Sequence, residues 1–440
     1  MISSEKHHSD GATYGTQDVE DSSPLVRLQS RQPRKDKFFC KVVPMFSSFL
    51  AIPFGIAILG ILTSTIFLGL VLIAAVRFNA RTPAAPMADS ALPPVSLLKP
   101  LHGSPAYLEE CLEGYFQLDY PQYELLFCAR RADDSGLEMA RALAARYPRI
   151  PVTILHSGEP PWMNARCYSM HLMAEAAQHD LLVMTDADVP VSPQYLREMV
   201  TPFQNPQVGA STCVYRGNPI DGGFGERLES LGMSVEMTSG VLVSEMLEGV
   251  HFTLGPSSAV RKSSLARFGG FERMGSYAAD DFMLGYLVAA SGQTVALSSH
   301  VVDHLILRSG FTKSIEHQLS WMRSTRFSLP KGHLGTGLTF ALPYGLLALV
   351  GGALDHRVWL GVELLAFTVL LKMIQSIVVG GMVVRSKLAV QLAFLYPLRD
   401  LIGFFLWAAS YASNKLHWHG KIWELETGGT MHLAAVKARR

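Results

Sequence analysis

Thirty-one consecutive residues without a charge, FSSFLAIPFGIAILGILTSTIFLGLVLIAAV at positions 46–76, place the first limit on this chain. About 20 apolar residues in a helix cross the hydrocarbon core of a bilayer. The run is therefore long enough to span with residues to spare, and residues 44–77 are read as a transmembrane helix. A secretory signal would carry a shorter apolar region nearer the N-terminus. Residues 1–43 are polar, Ser-rich and aperiodic, and end in a basic cluster of Arg27, Arg31, Arg34, Lys35, Lys37 and Lys41. That composition predicts a disordered basic tail.

Only 17% of the 440 residues are charged, below the roughly one quarter usual in soluble domains. A second apolar region past Gly337 accounts for the deficit. Segments 338–354 and 358–384 read as membrane helices. Segment 388–411 is apolar but holds Arg399 and Asp400, which are costly at membrane depth unless they face protein or water. The expectation is a C-terminal membrane region over 336–413 with two to four spans, then a polar tail over 414–440. A net charge of +1 leaves no nucleic-acid footprint. Cys40, Cys111, Cys128, Cys167 and Cys213 lack CxxC spacing, which argues against a zinc site or a disulfide framework.

A Pro- and Ala-rich connector, RTPAAPMADSALPP, leads into a different region, 92–335. Strand-length apolar runs (VSLLKPL, YELLFCA, PVTILH, DLLVMTD) alternate there with helix-length amphipathic ones (LEMARALAARY, ARCYSMHLMAEAAQ). Alternation of this kind predicts an α/β domain on a mostly parallel sheet with helices on both faces. Ligands of such sheets bind beyond the carboxyl ends of the strands.

Acidic residues gather at those ends. In LLVMTDADVPV an apolar strand runs into Asp186 and Asp188, and extended residues two apart point the same way. Such a pair can hold a divalent cation, Mg²⁺ or Mn²⁺, against a diphosphate. It is also compatible with a solvated turn. Asp280 and Asp281 open an apolar helix in SYAADDFMLGYLV. They suit either capping or a general base acting on an acceptor hydroxyl. Asp133 and Asp134 in CARRADDSG can form a turn or bond a donor nucleoside. Trp321, Arg323 and Arg326 in HQLSWMRSTR lie just before the second apolar region. They suit phosphate contact and an interfacial position alike.

Taken together these stretches resemble the ceramide glucosyltransferase family almost from end to end. VSLLKPLHG…YLEECLEGYFQLDYPQYELLFCARRADD is similar to the opening of its catalytic domain, and LHWHGKIWELETGG to its tail. The family's three aspartate signatures fall on Asp134 (or Asp133), Asp186 and Asp281. The resemblance implies a GT-A, Rossmann-like catalytic domain and a UDP-sugar donor. It also implies an inverting single displacement onto a lipid hydroxyl, with Asp281 as base. Lys99, Asp133, Asp134, Asp186, Trp321, Arg323 and Arg326 would contact the donor, and Asp186 and Asp188 the metal. The family's Gln or Arg, two residues, then Arg-Trp pattern is altered here to His317-Gln318-Leu319-Ser320-Trp321. The Asp186-Ala187-Asp188 run is closer to the related bacterial hopanoid N-acetylglucosaminyltransferases.

Transfer of glucose to ceramide is the first expectation, and of N-acetylglucosamine to a bacteriohopane polyol the second. A processive polysaccharide synthase is disfavoured by the altered motif and the few spans. A non-catalytic membrane scaffold is disfavoured by the four intact aspartates. The basic cluster before the first span favours a cytoplasmic N-terminus, whereas the cytosolic origin of UDP-sugars places 92–335 there. One span cannot satisfy both, and the expectation follows the substrate.

Overall fold

The structure is a computed structural model that describes residues 39–81, 87–418 and 420–434. Most of the expected tail, 1–38, lies outside the described residues. From Phe39 the chain is already helical: α1 runs Phe39–Asn79, past both bounds of the expected 44–77 segment.

Seven strands form the central sheet: β1 Val95–Pro100, β2 Tyr123–Ala129, β3 Val152–His156, β4 Leu181–Thr185, β5 Val208–Ile220, β6 Ser257–Arg261 and β7 Thr294–Leu307, in the order β3-β2-β1-β4-β6-β5-β7. The four runs read as strands are β1 to β4. The apolar character of β2 and β4 follows from burial on both faces, since both are buried at every residue, whereas β3 at the sheet edge is only partly covered. Helices α2 (Leu108–Phe116), α3 (Ser135–Arg146) and α4 (Ala165–Ala176) cover these strands.

Strand β1 pairs in parallel with both β2 and β4, so the chain leaves its two sides in opposite directions and opens a crevice there. Strand β6 is antiparallel and sets Ser257 opposite Thr185. That register carries Gly255 and Pro256 to the loop that follows β4. Helix α5 (Phe224–Leu231) continues through a π-helical turn, Gly232–Met237, into α6 (Thr238–Glu248). Helix α7 spans Asp280–Ala290 and α8 Phe311–Ser328.

The C-terminal apolar region folds as α9 (Leu342–Leu354), α10 (Val358–Val378) and α11 (Tyr396–Ser410). Among the described residues, two stretches are long and apolar enough to cross a membrane, Ile52–Asn79 and Val358–Val383. At ~1.5 Å per residue, α9 is about 20 Å long, short of the ~30 Å hydrocarbon core. It packs closely through small residues: a side chain at Gly345 would collide with Thr368, and one at Gly60 of α1 with Tyr344. The Arg399–Asp400 pair faces protein. Asp400 meets Lys372 at 2.9 Å and accepts the amides of Ala341 and Leu342, while Arg399 meets Glu236 at 3.1 Å.

The expected polar tail is instead a folded element. Strands β8 (Lys415–Trp418), β9 (Lys421–Leu425) and β10 (Met431–Leu433) form an antiparallel sheet. Leu416, Trp423, Leu425 and Met431 make its small core against Ala278 and Phe327. The amide of Ala278 donates to Gly429, and that of Met431 to Ser276. The sheet is thereby stitched to the loop just before α7, for which a polar sequence with spaced aromatics gave no warning.

Candidate active site

Strand β4 delivers Asp186 and Asp188 to the crevice, and α7 delivers Asp280 and Asp281. A side chain at Gly255 would place its Cβ 3.1 Å from Oδ2 of Asp281 and 3.7 Å from Oδ2 of Asp186. Glycine there keeps open the space over which these two carboxylates converge. Arg166, in the first turn of α4, joins the two acidic motifs. It donates to Oδ1 of Asp186 at 2.9 and 3.1 Å, and to Oδ2 of Asp280 at 2.5 Å. Sequence reading passed over Arg166. Its only signal was a cation in the NARC turn that opens the helix before β4. Asp280 was expected to cap its own helix or act as a base; the structure pairs it with Arg166 instead.

Among the described residues Asp281 makes no ion pair, although the charge of Arg166 reaches it. Its Oδ1 accepts the Phe282 amide at 2.8 Å. Burial, then the charge of Asp280, pushes its carboxyl up to about 6. A carboxylate raised toward neutrality is a better proton acceptor in the physiological range. Burial, then Asp281, Asp186 and Glu229, also pushes the Tyr215 hydroxyl up, which sets this phenol among the same carboxylates.

On the other side of β4, Asp188 faces His304 of β7, with Oδ2 3.6 Å from Nε2. The Leu305 amide donates to the Asp188 carbonyl at 2.9 Å and fixes the two residues side by side. Oδ1 of Asp188 and Nδ1 of His304 are buried without hydrogen-bond partners. A separation too long for a hydrogen bond, with lone pairs left over, is the donor set a cation would use. No three-residue cluster of metal-ligating side chains occurs among the described residues. Phosphate oxygens and water would have to complete the shell of a Mg²⁺ or Mn²⁺ ion. His304 was also missed, since it lies more than a hundred residues from Asp188 and meets it only through the sheet.

Other expected residues brace the site. Lys99 is wholly buried; its Nζ donates to the Asp186 carbonyl and to Thr185 Oγ1, and rests 3.9 Å above the Tyr115 ring. Burial lowers its amine to about 7. Tyr115 donates to the Val189 carbonyl at 2.7 Å, so the two residues pin both ends of the acidic loop. Asp134 caps α3, accepting the Gly136 amide at 2.9 Å and that of Gly103 at 3.1 Å. It thus ties the loop after β1 to α3. Asp133 is exposed and forms a two-pronged pair with Arg131. Arg323 and Arg326 donate to the carbonyls of Lys415 and Ser413, so both contact the start of the C-terminal sheet. Trp321 is exposed, its ring against that of His317.

A seven-stranded mixed sheet with an acidic pair at the end of its central strand is the arrangement of a GT-A glycosyltransferase. A mannosyltransferase from Pyrobaculum calidifontis, solved with GDP-Man and Mn²⁺, superposes with a TM-score of 0.52 over 79% of this chain and 98% of that one, at 17% identity. The chain belongs to glycosyl transferase family 21, whose profile matches residues 56–431. Ceramide glucosyltransferase 1 of Caenorhabditis elegans is 31% identical over 212 residues, 48% of this chain and 45% of that protein. Ceramide glucosyltransferase 3 of the same organism is 25% identical over 346 residues, 78% of this chain and 74% of that protein. The match thus spans less than half of the first relative and about three quarters of the second.

Proposed function

We propose that this protein transfers glucose from UDP-glucose to the hydroxyl of ceramide, with inversion, at a membrane surface. The observation that carries the reading is the half-buried Asp281 carboxylate, raised to about 6 and converging with Asp186 over Gly255, in a chain similar to ceramide glucosyltransferases. In the transfer, Asp281 takes the proton of the acceptor hydroxyl as that oxygen attacks the anomeric carbon. The bond from that carbon to the diphosphate oxygen breaks on the opposite face, and UDP leaves. Asp188 and His304, with Asp186 beside them, would hold a divalent cation, which when bound offsets the charge gathering on the diphosphate. Arg166 pairs with Asp186 and Asp280 and holds both side chains in place. Asp134 orders the loop against which the donor nucleoside would sit.

The two long apolar helices support anchoring in the bilayer that holds such an acceptor. A cytosolic donor places the catalytic domain on the cytoplasmic side. The test is incubation of membranes bearing the protein with labelled UDP-glucose and UDP-N-acetylglucosamine, each against ceramide and a bacteriohopane polyol. Glucosylceramide is the expected product. Labelled hopanoid instead would replace both sugar and acceptor, and label on neither lipid would overturn the reading.

A further inference from the structure

Strands β5 and β7 run side by side and parallel, with Arg216 opposite Asp303 and Gly217 opposite His304. Successive residues of a strand point to opposite faces. One face of this ladder therefore carries Tyr215 and His304, whose ring centroids are 5.8 Å apart. The other face carries Arg216 and Asp303. Arg216 forks onto Asp303, Nε to Oδ1 at 2.6 Å and Nη2 to Oδ2 at 2.9 Å. Its other terminal nitrogen, Nη1, donates to the carbonyls of Val384 and Arg385 at 3.1 and 3.3 Å.

Those carbonyls belong to the turn that follows the second long apolar stretch, Val358–Val383. Helix ends leave backbone carbonyls in need of donors, and here an arginine of the catalytic sheet supplies one. Arg385 sits in the left-handed region, with φ 51°, where glycine is the usual residue after a helix. The Ser386 amide donates back to Gly380 at 2.7 Å, and Val384 is fully buried. A residue in a disfavoured conformation persists only where its surroundings over-determine it, and Arg216 is one of the groups that do so. Its own direction is fixed in turn, because a two-pronged pair with a carboxylate is geometrically specific. The next residue after Asp303 is His304, whose Nε2 stands 3.6 Å from Asp188 Oδ2. The turn after the apolar stretch and the Asp188–His304 corner thus lie against opposite faces of the same two strands.

We propose that Arg216 is a positioning residue for the cation corner. By seating the Val384–Arg385 turn on the β5–β7 ladder, it holds His304 at the register that meets Asp188. The cation set is complete only when that turn is docked. Arg216 itself touches neither donor nor metal, and Asp303 orients it. The inference rests on the reading of Asp188 and His304 as residues that would hold a divalent cation.

The experiment titrates Mn²⁺ calorimetrically into purified full-length protein in the presence of UDP, with the melting temperature measured alongside. The net worth of one hydrogen bond corresponds to roughly 3- to 10-fold in affinity. R216M should weaken Mn²⁺ binding by about that factor. R216K keeps the charge but lacks the planar fork, and should fall between R216M and wild type. D400N is the comparator, because it loosens the C-terminal helices without touching β5 or β7. It should melt lower than wild type and bind Mn²⁺ equally well. Unchanged Mn²⁺ affinity in R216M overturns the proposal. So does a loss in D400N as large as that in R216M, which would make the effect a general loosening. If R216M does not fold, R216K decides: weaker Mn²⁺ binding supports the proposal and unchanged binding overturns it. Each of these failures leaves the cation reading intact, whereas a wild type that binds no Mn²⁺ beside UDP overturns both.

Discussion

Asp280 and Asp281 are neighbours in sequence and opposites in environment. Successive residues at a helix start diverge by about 100°; Asp280 therefore reaches Arg166 while Asp281 points over Gly255. Asp281→Asn should cut transfer by about 10²- to 10⁴-fold, the usual worth of a general base, with UDP binding retained in calorimetry. Because the folded carboxyl of Asp281 stands at about 6, wild-type activity should fall as pH drops through that value. Asp280 raises Asp281, so Asp280→Asn should move the acid limb to lower pH; a limb that stays put or moves up would remove Asp281 as the titrating base. The stability sign is opposite to the activity sign. A raised carboxyl favours the fold below its ordinary range, near 4, and that contribution is lost as pH rises through about 6. Asp281→Asn should therefore melt higher than wild type at pH 8, with the gain vanishing by about pH 4. At the opposite end of the site, His304→Ala should weaken Mn²⁺ binding titrated calorimetrically with UDP present. Unchanged binding would remove His304 from the metal set.

At the scale of elements, α8 has three clients. Its first turn is held by Glu226, its middle carries His317 and Trp321 toward α5, and its last turns give Arg323 and Arg326 to the carbonyls of Lys415 and Ser413. Sequence reading saw two arginines near a membrane and gave them phosphate contact and an interfacial position alike. It could not see that segment 415–433 returns as a sheet needing donors for its exposed carbonyls. The double variant Arg323→Ala/Arg326→Ala should expose that segment to limited proteolysis sooner than in wild type. A resistant C-terminus would mean that the sheet is held by its own small core alone. Strands β1 to β4 were legible for the converse reason: each is a short, mostly apolar run, whereas β5, β6 and β7 carry interspersed polar residues and were not read.

Across the whole molecule, a buried ion network ties the apolar C-terminal helices to the catalytic domain. Lys372 of α10 meets Asp400 of α11, and Arg399 meets Glu236 of the π-helical turn between α5 and α6. Removing one member of such a pair strands its partner and typically costs about 3–5 kcal/mol, whereas replacing both with apolar residues is often neutral. Asp400→Asn should accordingly lower the melting temperature in detergent, and Lys372→Met/Asp400→Leu should restore much of it. A double variant as unstable as the single one would show that the amides of Ala341 and Leu342, which Asp400 also accepts, matter more than the charge pair. The reading of 388–411 as an apolar segment with a misplaced Arg–Asp pair was correct in what it noticed. The resolution lay in Lys372, 28 residues from Asp400, and in Glu236, 163 residues from Arg399.

The sequence by itself determined the apolar helices, the alternation that builds the sheet and the aspartates at the strand ends, because each depends on local period and composition. Tertiary structure decided that Arg166 would pair with Asp186 and Asp280 and not with Asp281. It also brought His304 to Asp188 and Glu229 to His317. Those choices turn on a few ångströms between segments far apart in the chain, and electrostatic strength at such range depends on the burial that only the folded packing supplies.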